Sequence, residues 1–284
     1  MRTDDFAKGY SNIDVQEEVQ PFIDYLKAVL ENDQIIHYKV LMRRMMSLKK
    51  NGRYLEVGCG TGYDIAEIAK KLSSSGEAVG VDFSKGCLEY SQACYKEANL
   101  PLRFALGNAE DLRGDASKEY SRLEDNYFDA CKTDRVLMHV GDPKRAISEL
   151  KRVTKERGIV VVGEPDWGAF IINSDLNDIS LKITNAMCSP ESPVVKSPLI
   201  GRELYSHFVQ CGFHHIDVTI LNIPFYTLEE FNPIIPLDSF LEHALKIKAI
   251  TEDEEKNFRK NLQKKDEQGE FFANYCFFIV KGES

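Results

Sequence analysis

The segment YLEVGCGTGY, residues 54–63, has the pattern of a buried strand, a glycine-rich turn and the first residue of a helix. Its apolar residues predict the strand. Gly58, Gly60 and Gly62 have no Cβ, so their backbone can approach a ligand where another residue would clash. The segment therefore predicts a site for a cofactor with a polar moiety.

The spacing of the glycines separates this turn from a dinucleotide-binding turn. That turn has the pattern G-x-G-x-x-G, and its third glycine would fall at Tyr63. The chain instead has an acidic residue on the strand, Glu56, and glycines at every second position from 58 to 62. A different cofactor is therefore indicated.

Three further strand-like segments end in polar residues. The second strand ends at Asp82, whose carboxylate can accept hydrogen bonds from both hydroxyls of a ribose. The third runs into GNAED, residues 107–111, where small and polar side chains can flank an adenine ring. The fourth leads into DRVLMHV, residues 134–140. Together they extend the predicted ligand site beyond the glycine turn.

With EVGCGTG, VDFS, GNAED and DRVLMHV in this order, the chain resembles the class I S-adenosylmethionine-dependent methyltransferases, and in particular their small-molecule group. The resemblance runs from about residue 41 to residue 167, with a weaker part at 201–218. It implies an α/β fold with a Rossmann-like, doubly wound sheet. That sheet has seven mostly parallel strands with one antiparallel strand, and helical lid or cap insertions. The implied cofactor is S-adenosyl-L-methionine.

The resemblance also implies a set of cofactor-binding residues. Asp82 would hold the ribose, Phe83 would cover one face of the adenine, and Thr133 or Asp134 would line the sulfonium side. Glu56 contacts the ligand or, alternatively, orients the glycine turn. The full predicted set is Glu56, Gly58, Gly60, Gly62, Asp82, Phe83, Asn108, Ala109, Glu110, Thr133 and Asp134.

The candidates for catalysis are His139, Arg135 and Asp166. Methyl transfer from a sulfonium needs alignment and exclusion of water, and a general base only for some acceptors. His139 is of a residue type that titrates near neutral pH, although a packing role is the alternative. Arg135 is predicted to bind an anionic substrate group or to pair with Glu164 or Asp166.

Tyr10, Glu164 and Trp167 are the predicted substrate contacts. Glu164, Asp166 and Trp167 are expected to leave the fifth strand, 159–163, at the carboxyl edge of the sheet, where open α/β folds bind ligands. Trp167 would stack on an aromatic substrate or, alternatively, plug the base of a lid. No metal site is predicted, because the pair His214 and His215 lacks a third ligand at metal spacing.

The length of 284 residues fits one methyltransferase domain. Helical spacing predicts two N-terminal helices within 1–50, at about 15–30 and 34–49, before a cofactor-binding core at 51–165. The resemblance implies that these helices form a lid over the cofactor, and packing on the edge of the sheet is the alternative. A closing helix and strands are expected at 201–223 and 271–284. The segments 166–200 and 224–270 are predicted to form a helical substrate cap, because the insertion is far longer than a hairpin turn. Extra packing or an oligomer contact is the alternative.

The net charge of −9 and the pI near 5.3 disfavour a protein that binds by neutralising phosphates. The predicted partner is therefore a small-molecule acceptor, apolar or aromatic, with oxygen, nitrogen and carbon acceptors all open, and no nucleic acid. A monomer or a homodimer is expected. The basic residues of 43–53 are interpreted as a solvated helix face. The alternatives are a protein or RNA methyltransferase, and a non-catalytic cofactor-binding or scaffold protein.

Cysteine usage bears on the cellular compartment. Seven cysteines without a C-x-x-C pair predict reduced thiols, as in a cytoplasmic protein. The first residues show no apolar secretion signal, and no apolar run approaches the length of a bilayer. A cytoplasmic protein without a membrane segment is expected.

Overall fold

The computed structural model describes residues 19–115, 117, 119–189, 192 and 195–284. Its strands are β1 (Arg53–Val57), β2 (Glu77–Asp82), β3 (Leu102–Leu106), β4 (Phe128–Asp134), β5 (Thr154–Ile172), β6 (His214–Phe225) and β7 (Ala273–Glu283). They form one seven-stranded sheet in the order β3-β2-β1-β4-β5-β7-β6. Only β7 runs antiparallel to its neighbours, β5 and β6. The predicted fold class is confirmed.

The helices alternate with the strands through the first half of the chain and then follow β5 and β6. They are α1 (Gln20–Val29), α2 (Asp33–Met45), α3 (Tyr63–Ala69), α4 (Lys85–Tyr95), α5 (Pro143–Val153), α6 (Asn177–Met187), α7 (Ile200–Gln210), α8 (Leu228–Phe231), α9 (Leu237–Lys246) and α10 (Glu252–Glu267). None of the described helices combines the length and the apolar character needed to cross a membrane.

Local sequence explains where several helices begin. The Ser84 side chain accepts a hydrogen bond from the backbone N–H of Cys87 and caps α4. Asp142 caps α5 in the same way, and Pro143 fits its first turn. Helix α2 ends at Met45 rather than at about Lys49, since the chain there turns toward β1.

Strand β5 is longer than the sequence predicts. The pattern indicated a strand over 159–163, but β5 has 19 residues because β7 pairs with it from Ile159 to Ile172. Glu164, Asp166 and Trp167 therefore lie within the strand, and the expectation that they leave it at the edge of the sheet was wrong.

The insertion between β6 and β7 is helical, as predicted, and packs on the aromatic end of β5. Phe240 lies 5.4 Å from Trp167 between ring centroids, and Phe231 lies 6.2 Å from Phe170. The insertion also contacts α1, where the Tyr25 hydroxyl donates a hydrogen bond of 3.4 Å to a carbonyl of the insertion. The insertion thus joins the far end of the sheet to the N-terminal helix.

Candidate functional site

A cavity of about 250 Å³ lies at the carboxyl ends of β1, β2, β3 and β4, and α1 forms one of its walls. Open parallel sheets bind ligands at this edge. The cavity is lined by Phe22, Tyr25, Leu26, Val57, Gly58, Gly60, Asp82, Phe83, Gly107, Asn108, Ala109, Glu110, Asp134, Arg135, Val136, Met138, His139, Val140 and Lys196. A smaller hollow of about 60 Å³ adjoins the glycine turn and includes Glu56 and Asp134.

The three glycines of the turn differ in what they face. All have a positive φ, of 74° at Gly58, 50° at Gly60 and 75° at Gly62. A Cβ on Gly62 would lie 2.8 Å from the Phe104 ring, so this glycine serves packing and does not line the cavity. Among the described residues, a Cβ on Gly60 would meet the end of the Leu26 side chain, at 2.9 Å. Gly60 and Leu26 both line the cavity, so the backbone at Gly60 borders the cavity beside α1.

Asp82 braces the glycine turn from the end of β2. Its carboxylate accepts hydrogen bonds from the N–H of Gly60 at 2.7 Å and the N–H of Ser84 at 2.9 Å. The next residue, Phe83, is 44% exposed and lines the cavity. The structure thus places a fixed carboxylate and an accessible aromatic ring side by side.

Glu110 fixes the wall opposite the glycine turn. Its carboxylate accepts hydrogen bonds from the N–H of Gly141 at 3.2 Å and of Asp142 at 2.8 Å. The Asn108 side chain accepts a hydrogen bond of 2.9 Å from the N–H of Glu110. These contacts join the end of β3 to the start of α5, so that 108–110 form a rigid border of the cavity.

Six charged side chains are buried beneath the glycine turn, and we refer to them as the buried charge cluster: Lys39, Arg43, Glu56, Asp64, Lys132 and Asp134. Lys132 Nζ lies 3.0 Å from Glu56 and 2.9 Å from Asp64. Lys39 bridges Asp64, at 2.6 Å, and Asp134. Arg43 pairs with Asp64. The three cations and the three carboxylates therefore compensate one another.

The cluster shifts the pKa values of its carboxyl groups in opposite directions. Burial, only partly offset by Lys132, raises the pKa of Glu56 to about 7. Burial acts the same way on Asp64, but Lys132, Lys39 and Arg43 together hold the pKa of that carboxyl well below its usual range. Asp64 is consequently the permanent anion at the centre of the cluster.

The sequence analysis missed the cluster. Arg43 was interpreted as part of a solvated face, yet it is only 5% exposed, because its guanidinium reaches Asp64 on α3. A signal was present in β4, where Lys132 interrupts a run of small and apolar residues at a position with no exposure. A lysine is rarely buried without a partner.

Arg135, His139 and Lys196 lie together in the cavity, and we call them the basic end. Arg135 has a φ of 57°, and its backbone N–H donates to Gly163 at 2.9 Å. Burial first, and then Arg135 and Lys196, lower the pKa of His139 to about 3. The imidazole is consequently neutral at pH 7.

Glu164 holds the backbone that carries the basic end. Its carboxylate accepts hydrogen bonds from the N–H groups of Val136, Leu137 and Met138, at 2.8, 2.6 and 3.4 Å. Burial nevertheless raises its pKa to about 8. Glu164 is fully buried and does not line the cavity.

The remaining predicted residues lie outside the cavity wall. Asp166 accepts two hydrogen bonds of 2.6 Å from the Arg202 guanidinium, so the alternative ion pairs of Arg135 with Asp166 or Glu164 are not formed. Trp167 packs against the aromatic rings around it, and Thr133 is buried behind the wall. Tyr10 lies outside the described residues.

Comparison with known protein families gives one match that covers more than half of the chain. Residues 48–216 match the family described as Methyltransferase domain. This range contains β1 to β5 and nearly all of the cavity lining.

Individual proteins show more distant similarity. A 37.1 kDa protein from a Streptomyces fradiae transposon is 28% identical over 92% of this chain and 71% of its own length. A demethylmenaquinone methyltransferase of Staphylococcus saprophyticus is 28% identical over 56% of this chain, which spans 64% of that enzyme. The solved structure of a Haemonchus contortus phosphoethanolamine N-methyltransferase shares the fold, with a TM-score of 0.58 at 18% identity, over 99% of this chain and 60% of its own.

Proposed function

This chain belongs to the methyltransferase domain family, and we propose that it transfers a methyl group from S-adenosyl-L-methionine to a small-molecule acceptor. One observation carries the proposal. A single cavity collects the glycine turn after β1, the carboxylate at the end of β2, the border after β3 and the basic end after β4. Four strand ends thus converge on one space at the edge where open parallel sheets bind ligands.

The residues along the first three strands fit the cofactor. The backbone of Gly60 lines the cavity without a Cβ, so a ligand can approach it closely, and Asp82 offers a fixed carboxylate to a ribose. Phe83 presents an accessible ring to an adenine, whose edge Asn108 and Glu110 would border. When bound, the cofactor supplies a methyl group on a positively charged sulfur. The protein's part is to hold and align the two reactants.

A small acceptor is supported by the cavity's size and apolar wall. Phe22 and Leu26 of α1, with Met138 opposite, enclose the space between the cofactor residues and the basic end. Such a wall excludes water from a reaction in which charge is neutralised. The demethylmenaquinone methyltransferases among the relatives have names that indicate a small-molecule acceptor, which agrees with the proposal.

His139 is a weak candidate for a general base in this arrangement. A base works best when its pKa lies near the operating pH, and that of His139 is lowered to about 3. We therefore favour an acceptor atom whose electron pair is free when the substrate binds, so that no proton has to be removed before methyl transfer. His139 then shapes the cavity wall as a neutral side chain.

The insertion between β6 and β7 supports α1 instead of lining the cavity. None of the residues of 224–270, all of which the structure describes, contributes to the cavity wall. The insertion is linked to the cavity by Tyr25. The Tyr25 hydroxyl donates a hydrogen bond to the carbonyl of Ile234, and Tyr25 itself lines the cavity. We propose that the insertion and Trp167 brace the lid helix over the acceptor.

Calorimetric titration tests the cofactor assignment. S-adenosylmethionine and S-adenosylhomocysteine should bind to one site, and NAD should not. Asp82→Ala should weaken that binding by about 1.5–3 kcal/mol, because it removes a charged hydrogen-bonding group from the site. Asp217→Ala, at an exposed position on β6, is the matched control and should bind normally.

Three results would count against the proposal. Failure of both compounds to bind would remove the glycine turn as a cofactor site. Unchanged affinity in Asp82→Ala would move the ribose elsewhere. Binding without transfer to any small acceptor in a broad screen would favour the non-catalytic alternative.

A further inference from the structure

The charged side chains that line the cavity differ in whether the protein provides them with hydrogen-bond partners. All three carboxylates that line it have partners in the protein. Asp82 accepts from two backbone N–H groups, Glu110 accepts from two others, and Asp134 is held by Lys39 and by the Tyr38 hydroxyl. Arg135 differs from all of them.

Arg135 is a buried cation with no hydrogen-bonded counterion. Its side chain is 14% exposed and donates no hydrogen bond to any described residue, and the buried Nε has no partner. The nearest carboxylate oxygen, Oδ1 of Asp134, lies 3.9 Å from Nε. A guanidinium carries five N–H donors and stays charged at every relevant pH. Leaving it unsatisfied in a protein interior is costly.

The groups around Arg135 do not relieve this imbalance. Tyr25 and Tyr38 are neighbours of the guanidinium, but their hydroxyls donate to Ile234 and Asp134. Lys196 adds a second positive charge at the rim. The basic end therefore has an excess of positive charge facing a space with an apolar wall.

On the proposed function, we infer that the methyl acceptor is an anion whose carboxylate, phenolate or enolate oxygen binds the Arg135 guanidinium. Paired N–H groups of arginine match such oxygens, and charge-assisted hydrogen bonds are strongest where water is excluded. Where the ionised oxygen is itself the methyl acceptor, no proton has to be removed and no general base is needed, which agrees with a neutral His139.

The backbone at Arg135 makes the residue suitable for substitution. Its φ of 57° is left-handed, so methionine at this position experiences the same backbone strain as arginine does. Arg135→Met keeps an unbranched apolar side chain at this position and removes the guanidinium with its charge and donors. Arg122→Met, at a side chain that is 73% exposed, is the matched control.

The test uses 2-naphthoate and its neutral isostere 2-naphthamide as probes, titrated into the protein saturated with S-adenosylhomocysteine. We expect one naphthoate to bind per chain, at least about tenfold more tightly than the amide. Arg135→Met should abolish this preference and leave the affinity for S-adenosylhomocysteine unchanged. Arg122→Met should keep both the preference for naphthoate and the affinity for S-adenosylhomocysteine.

Each other outcome is decisive. Equal affinity of the two probes for the unaltered protein would overturn the inference without any variant, even if Arg135→Met fails to fold. A preference that survives in Arg135→Met would also overturn it. Loss of S-adenosylhomocysteine binding in Arg135→Met would assign the guanidinium to the cofactor instead. Absence of that binding in the unaltered protein would overturn the proposed function itself, and the inference with it.

Discussion

The buried charge cluster, which includes Asp134, adjoins the basic end, which begins at Arg135, but the two regions differ in how closely their charges are paired. In the cluster, Lys39 and Lys132 have carboxylate oxygens within about 3 Å. At the basic end, by contrast, the nearest carboxylate oxygen to the Arg135 guanidinium lies 3.9 Å from Nε. A buried charge that is satisfied within the protein supports the fold, whereas one that is left unsatisfied is available to a ligand.

Asp134 connects the two regions. It accepts from Lys39 and the Tyr38 hydroxyl on the cluster side, and lines the cavity beside Arg135 on the other. Because Lys39 and Tyr38 belong to α2, the cluster fixes this helix to the end of β4. The position of α2 and the floor of the cavity therefore depend on the same contacts.

Removal of a cluster cation should have the largest effect. Lys132→Met leaves Glu56 and Asp64 without their shared cation at a fully buried position, and should lower the free energy of unfolding by about 3–5 kcal/mol. Urea denaturation measures this change. Lys155→Met, which breaks the partly exposed pair with Asp129, is the control and should change it by less than about 1 kcal/mol.

Urea denaturation of Arg135→Met tests the contrast between the buried charge cluster and the basic end. The lost side chain has no hydrogen bond to break, so the expected change is within about 1 kcal/mol. A loss comparable to that of Lys132→Met would show that Arg135 supports the fold, and the division between the two regions would fail.

A similar contrast is expected within the glycine turn, between Gly60 and Gly62. Alanine is strained at both positive φ values. Gly62→Ala adds a contact of 2.8 Å with the buried Phe104 ring and should lower the free energy of unfolding by about 1–3 kcal/mol. Gly60→Ala meets only the flexible end of Leu26, so we expect a smaller loss of stability but at least about tenfold weaker binding of S-adenosylhomocysteine.

Thermal denaturation and calorimetry on both variants separate the two effects. Normal binding by Gly60→Ala would contradict the close approach of the ligand at this position. Weakened binding by both variants, with equal losses of stability, would show that the turn acts as one unit.

The last expected effect is a dependence of stability on pH that is caused by Glu164, which holds the backbone of the basic end. Its pKa is raised to about 8 in the folded protein, from about 4.5 in the unfolded chain. The folded state therefore binds more protons between these values, and the stability from Glu164 is complete below about pH 4.5 and declines as the pH rises toward 8.

Glu164→Gln should reduce this decline between pH 5 and pH 8, because the amide does not titrate in that range. Urea midpoints of the two proteins at several pH values measure the difference in slope. Parallel curves would show that Glu164 is ionised in the folded protein throughout, held by the three N–H groups it accepts from.

Much of the fold follows from local patterns. The glycine turn and the parallel strands of the first half were predicted, because the side-chain period acts over a few residues. Ser84 and Asp142 begin their helices through caps that are equally local. The extent of β5 was not, since it depends on pairing with β7, more than a hundred residues away.

The candidate site divides in the same way. Asp82, Gly60 and Asn108 follow strands and were predicted to line a ligand site, and the structure brings them to one cavity. Glu164 and Trp167 were predicted to contact substrate, but one binds backbone N–H groups and the other packs among aromatic rings. The role of each of these two side chains depends on residues that are distant in the sequence and become neighbours only in the fold.

The sequence by itself determined the strand, turn and helix of the cofactor site, since the absence of a Cβ and the apolar period are properties of single residues and their near neighbours. Only the tertiary structure decided which charges are satisfied. Lys39 and Asp134 are 95 positions apart and become partners because α2 packs against the end of β4. Arg135, the residue after Asp134, gains no such partner among the residues that the structure describes. That difference arises from three-dimensional packing, because a charge is compensated by whatever the fold brings within a few ångströms of it.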